Sequence, residues 1–185
     1  MKLRALLALS VAALLSFIPL SHADAPAATR IDVGFSPDGA AERLVIDAIR
    51  SARRSVRLVA YSFTAAPIVR ALVDAKHRGV DVAVIVDRKH NLEQDSSGKA
   101  RAALNLLVNA GIPTRTIAAF AIQHSKYVVI DGLHVQTGSY NYSASAARYN
   151  SENVLVLWHH ADLAAAYLDN WRQLYERSQP YASTY

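Results

Sequence analysis

His124, Ser125 and Lys126, then four residues, then Asp131, place an imidazole, an ammonium and a carboxylate close together in the chain. Successive side chains of an extended strand point to opposite faces. The spacing therefore sends His124 and Lys126 to one face and leaves Asp131 on the other face or in a turn. Gly138-Ser139-Tyr140-Asn141 follows and again sets two polar side chains, Ser139 and Asn141, two apart. Glu152 and Asn153 open the next apolar run. Gathered at one edge of a sheet, these residues supply imidazole, ammonium, hydroxyl, amide and carboxylate.

That set suits cleavage of a phosphodiester. A phosphoryl group in its transition state carries charge on its non-bridging oxygens, and catalysis is mostly positioning and electrostatics. Lysine and asparagine donors in a partly dry site stabilise such charge without a metal. A neutral imidazole can attack phosphorus and form a covalent intermediate that water later hydrolyses. A carboxylate on the far ring nitrogen would hold the correct tautomer.

The elements that must position these groups alternate between strand and helix. Ile31 to Phe35 reads as a strand ending at the turn cluster Ser36-Pro37-Asp38-Gly39, and Ala40 to Arg53 carries a helical apolar stripe. Val56 to Phe63 is rich in β-branched and aromatic residues, which predicts a strand. Pro67 opens a second helix that stops at Gly79. Asp81 to Val86 is nearly all apolar and predicts a strand buried on both faces. The polar run Arg88 to Lys99 reads as a mobile surface loop, a candidate lid over a substrate groove. A helix over 100–110, closed by Gly111, and a short strand from Pro113 to Ile117 follow. Tyr127 to Ile130 and His134 to Thr137 form a hairpin turned at Asp131-Gly132. Asn153 to Trp158 is a further strand, and Ala161 to Arg177 a final amphipathic helix. The order predicts an α/β fold, an α/β/α sandwich on a mixed, largely parallel sheet.

The first residues read as an address. Lys2 and Arg4 precede an apolar run from Ala5 to Leu20, and Ser21-His22-Ala23 offers small residues where a signal peptidase cuts. The run is shorter than the roughly 20 residues a spanning helix needs, and Pro19 falls inside it. The expectation is a signal peptide over 1–23, with Ala25 as the other cleavage point, and a soluble mature domain over 24–185 without a membrane anchor. Such a leader implies a periplasmic or secreted bacterial protein. Cleavage would lower the net charge from +5 to +3, a mild lean towards polyanions. The chain has no cysteine, which excludes thiolate-bound structural zinc.

The motifs carry a resemblance. His124-x-Lys126-x4-Asp131 with Gly138-Ser139-x-Asn141 downstream resembles the signature of the phospholipase D superfamily. Val33-Gly-Phe-Ser-Pro, Ala60-Tyr-Ser-Phe-Thr, Arg78-Gly-Val-Asp-Val and Ser151-Glu-Asn extend the likeness to the small Nuc-type bacterial endonucleases, from about Asp32 onwards. The resemblance implies a hydrolase of phosphodiester bonds that cuts DNA and RNA with no metal or other cofactor. It assigns His124 as nucleophile and acid–base, Lys126 as phosphate binder, Ser139 and Asn141 as a second pair of active-site residues, and Glu152 as the carboxylate supporting the imidazole. Asp131 matches the motif aspartate and reads as structural. Tyr142 stands where the family often has phenylalanine.

The motif occurs once, whereas longer members of the superfamily resemble two such halves. A single copy implies a homodimer that builds one site across a two-fold axis, the commonest symmetry of soluble oligomers. The shared motif equally permits a phospholipid substrate, such as phosphatidylcholine, in place of nucleic acid. Several other residues keep two readings. Tyr140, Tyr142 and Tyr149 either stack on bases or pack the core; Arg88, Lys89 and His90 either touch phosphates or lie in a solvated loop. His159 and His160 precede the last helix as capping residues rather than metal ligands, and Arg53, Arg54 and Arg57 read as a solvated face.

Overall fold

The computed structural model describes residues 28–183, so the expected signal peptide over 1–23 lies outside the described residues. Eight strands form one sheet in the order β1-β7-β6-β5-β2-β3-β4-β8. β1 (Arg30–Ser36) is followed by α1 (Ala40–Ser51), β2 (Ser55–Ala60), α2 (Ala66–His77) and β3 (Asp81–Asp87). α3 (Lys99–Asn109), β4 (Thr114–Ile117), β5 (Tyr127–Ile130) and β6 (His134–Gly138) come next. α4 (Ala144–Arg148), β7 (Glu152–Trp158), α5 (Ala161–Glu176) and β8 (Gln179–Pro180) complete the described residues.

The fold is α/β with a single mixed sheet, as the alternation of elements predicts, but its parallel part is small. Among the described residues only the strand pairs β2–β3 and β3–β4 are parallel, and the remaining neighbours are antiparallel. Parallel neighbours need a crossover, and α2 and α3 provide it; the tight turn at Asp131-Gly132 can only return the chain antiparallel. Both faces of the sheet are covered in its middle. On one face Leu58, Val84 and Val128 pack under Val45 and Ile49 of α1, Leu72 of α2 and Leu104 of α3. On the other, Val59, Ile85 and Val129 meet Ala164, Trp171 and Leu174 of α5.

Cover fails at the β1 edge. Ile31, Val33 and Phe35 alternate along β1 and remain 59%, 56% and 57% exposed. Among the described residues no helix is long and apolar enough to cross a membrane.

Three local expectations need correction. Arg88 to Lys99 is no open loop: Lys89–Gln94 forms a wide, π-type helical turn pinned by the buried Asn91. Asn91 accepts from the amide of Phe63 at 2.9 Å and donates to the carbonyls of Tyr61 and Asp87. β2 ends at Ala60 because the chain turns there, and Phe63 instead bridges to Tyr142. The His124–Lys126 segment lies just before β5 rather than within it.

Candidate active site

The β5–β6 hairpin sets the frame. Tyr127 pairs with Thr137, so the residues leading into β5 lie beside those leaving β6. His124, Ser125 and Lys126 from the first leg and Gly138 and Ser139 from the second line one open cleft of about 620 Å³, walled by Tyr167 and Asn170 of α5. Asn170 is fixed there by accepting from the Tyr127 hydroxyl at 2.8 Å.

Lys126 is buried, and its ammonium donates to the carbonyl of His124 at 2.5 Å. Its Nζ also sits 5.2 Å from the centre of the Tyr61 ring, a cation–π distance. Tyr61 packs against two imidazoles, 4.6 Å from His124 and 4.2 Å from His90.

The second leg depends on a glycine. Gly138 has φ +152°, and a Cβ there would lie 2.2 Å from the carbonyl oxygen of Asn153. That approach lets the amide of Ser139 donate to the same carbonyl at 3.1 Å. The Ser139 hydroxyl then donates to Glu152 Oε2 at 2.6 Å and accepts from the amide of Asn153 at 3.1 Å. Asn150 holds the other carboxylate oxygen of Glu152 at 2.9 Å. Within one chain Glu152 therefore supports Ser139, and the hydrogen bonds of its carboxylate do not reach His124.

Asn141 does not line the cleft. Its Oδ1 is shielded from water and lacks a hydrogen-bond partner among the described residues. Tyr140 and Tyr142 on either side are fully buried, which makes both core residues. Tyr149 is exposed. Asp131 sits at the opposite end of β5 from His124, with φ +56°. Its carboxylate accepts from the amides of Arg53, Arg54 and Ser55 at 2.7–2.9 Å and so ties the hairpin turn to the start of β2. His160 caps α5, its Nδ1 accepting from the amide of Leu163.

The electrostatics favour a neutral imidazole. Loss of water around the ring pushes the His124 pKa below its usual value, and the charges of Lys126 and His90 push the same way; Asp87 opposes them. Burial lowers the Lys126 pKa, and the charge of Glu152 opposes that shift. For Asp131, burial raises the pKa, but donation from the amides of Ser55, Arg54 and Arg53, with the Arg54 charge, leaves it below the usual carboxylate range.

Sequence reasoning missed Asp87, Tyr61 and the α5 wall. Asp87 is 3% exposed, and its carboxylate accepts from the amides of His90 at 2.7 Å and Gln123 at 2.9 Å. An aspartate at the end of an apolar strand is the one signal that pointed to it.

Comparison with known proteins gives the same picture. A family model described as cardiolipin synthase, PLD-like domain, matches residues 45–175. A Rickettsia bellii protein named Phospholipase D is 36% identical over 143 residues, covering 77% of this chain and 68% of the relative. A Xenopus tropicalis mitochondrial cardiolipin hydrolase is 30% identical over 143 residues, covering 77% and 64%. The crystal structure of Nuc from Salmonella typhimurium, a phospholipase D family member, superposes with a TM-score of 0.81 at 42% identity, covering 84% of this chain and all of that one. NucT from Helicobacter pylori shares the fold at 22% identity, with a TM-score of 0.70, over 83% of this chain and all of NucT. With His124, Lys126 and Ser139 on one cleft, the chain belongs to the phospholipase D superfamily, a hydrolase of phosphodiester bonds.

Proposed function

We propose that the protein is a metal-independent endonuclease, cleaving DNA or RNA through a phosphohistidine at a site shared by two copies of the chain. The observation that carries this reading is the common cleft of His124, Lys126 and Ser139, with Glu152 bound behind the serine. His124 Nε2 attacks phosphorus and the bond to the leaving oxygen breaks. The partner subunit's His124, protonated, gives that oxygen its proton. Water then attacks phosphorus, the partner subunit's His124 takes the water's proton, and the P–N bond breaks. Lys126 faces the charge on the non-bridging oxygens. The depressed His124 pKa supports the nucleophilic role, because the attacking imidazole must be neutral near pH 7.

Two features support the dimer. The exposed apolar stripe of Ile31, Val33 and Phe35 gains free energy by burial against a second copy. Phe35 at the end of that stripe registers with Asn153, whose amide donates to the Ser139 hydroxyl, so the stripe runs up to the site. Nucleic acid as substrate is supported by the likeness to Nuc at 42% identity and by the resemblance of the motifs to Nuc-type endonucleases.

A phospholipid substrate is the second reading. Exposed Phe120 and Ile122 lie beside His124 as an apolar rim, and the Rickettsia and Xenopus relatives are named for lipid substrates. Incubation with a labelled oligonucleotide and with labelled phosphatidylcholine vesicles, both in EDTA, separates the two. Cleavage of the oligonucleotide with label trapped on His124 is the expected result. Faster headgroup release would reverse the order, and loss of both activities on chelation would sink the metal-free mechanism. We propose export as well, with residues 1–23 as the leader; the mass of the protein recovered from the periplasm or medium checks it.

A further inference from the structure

We infer that Asp87 is the positioning residue for His124, one buried carboxylate gripping the two backbone segments that bring His124 and His90 against Tyr61. One oxygen accepts from the amide of His90 in the wide turn, the other from the amide of Gln123, the residue before His124. The turn itself is of the π type, a form concentrated at functional sites. Asn91 in the same turn fixes the Tyr61 carbonyl, so all three rings hang on one hydrogen-bonded unit built around the end of β3.

The charge is the telling part. A buried carboxylate is costly to desolvate, and two amides need only acceptor oxygens, which a neutral amide side chain could offer in part. What a neutral side chain cannot offer is negative charge facing an imidazole. The groups acting on His124 are the cations Lys126 and His90 and the anion Asp87, with the Tyr61 ring packed against it at a tilt of 57°. When the ring attacks phosphorus it gains positive charge, which Lys126 opposes and Asp87 stabilises without reorganising. Asp131 is the natural control: it too is capped by backbone amides, but it lies at the far end of β5 and its charge does not act on His124.

This inference rests on His124 being the active imidazole. The test compares Asp87→Asn, Asp87→Glu, Asp131→Asn and His124→Ala in the full-length protein with bis(para-nitrophenyl) phosphate as substrate, while proton NMR follows the His124 ring. Asp87→Asn keeps shape and removes charge. It is expected to lower kcat/KM on the order of 10- to 100-fold and to move the His124 titration to lower pH. Asp87→Glu keeps the charge but shifts it by a methylene; it is expected to lower the rate with the titration near that of the wild type. Asp131→Asn is expected to weaken the fold and leave the titration unmoved. A wild-type rate in Asp87→Asn, or a lowered rate with an unmoved titration, overturns the proposal. Where Asp87→Asn fails to fold, a wild-type rate in Asp87→Glu does so instead. Full activity in His124→Ala sinks the functional reading and this one together, whereas an inactive His124→Ala beside a fully active Asp87→Asn sinks this one alone.

Discussion

Lys126 donates its ammonium proton to the main-chain carbonyl of His124, two residues back, at 2.5 Å. The cation is thereby anchored to the residue whose basicity it depresses, and the two cannot drift apart without breaking a charge-assisted hydrogen bond.

Replacing Lys126 by methionine keeps the length of the stem and deletes the charge. We expect kcat to fall on the order of 10²- to 10³-fold. Because Lys126 lowers the His124 pKa, its loss raises that pKa, and the acid limb of the pH–rate profile moves to higher pH. A limb that stays in place would show that the ammonium does not act on the imidazole.

Gly138→Ala puts a methyl group 2.2 Å from the carbonyl of Asn153. The strands must part to admit it, at a cost of about 3 kcal/mol or more, and Ser139 should lose its hold on Glu152. Denaturant melts and turnover together check this; a variant with wild-type stability contradicts the close approach.

Asp131→Asn tests the fold rather than the chemistry. The folded-state pKa of Asp131 lies below its unfolded value, so its contribution is present above that unfolded value and is lost as pH falls through the folded one. At pH 7 the variant should be less stable by about 2 kcal/mol. Wild type and variant should converge as pH drops below about 4. A gap that persists at low pH would mean that the charge is not what matters.

Val33→Glu places a carboxylate in the middle of the exposed β1 stripe. Light scattering should report a monomer with an unchanged circular dichroism spectrum and much reduced phosphodiesterase activity. A monomer that keeps full activity excludes a site shared between two copies.

Much of this was readable from the chain alone, for physical reasons. β3 declares itself as an apolar run, and Asp131-Gly132 between two β-branched runs fixes the hairpin, whose register then carries Lys126 to Ser139. The wide turn at Lys89–Gln94 escaped because one side chain, Asn91, holds it in the core while its neighbours are polar and more exposed. The grip of Asp87 escaped because its partners are backbone amides, which every residue but proline carries and no spacing reveals. The sheet is less parallel than the order of elements predicts, because which strands become neighbours, such as β1 beside β7 and β2 beside β5, is decided by long-range pairing that local spacing does not carry.

The β5–β6 hairpin has one further consequence. Its open end carries the chemistry, and the spacing of Lys126 from Ser139 is inherited from the rungs between the two legs. A single-residue deletion within either leg would turn alternate side chains over and scatter the reactive groups, although no reactive group had been altered. A slip of one rung along this hairpin is therefore expected to abolish activity as surely as the loss of His124.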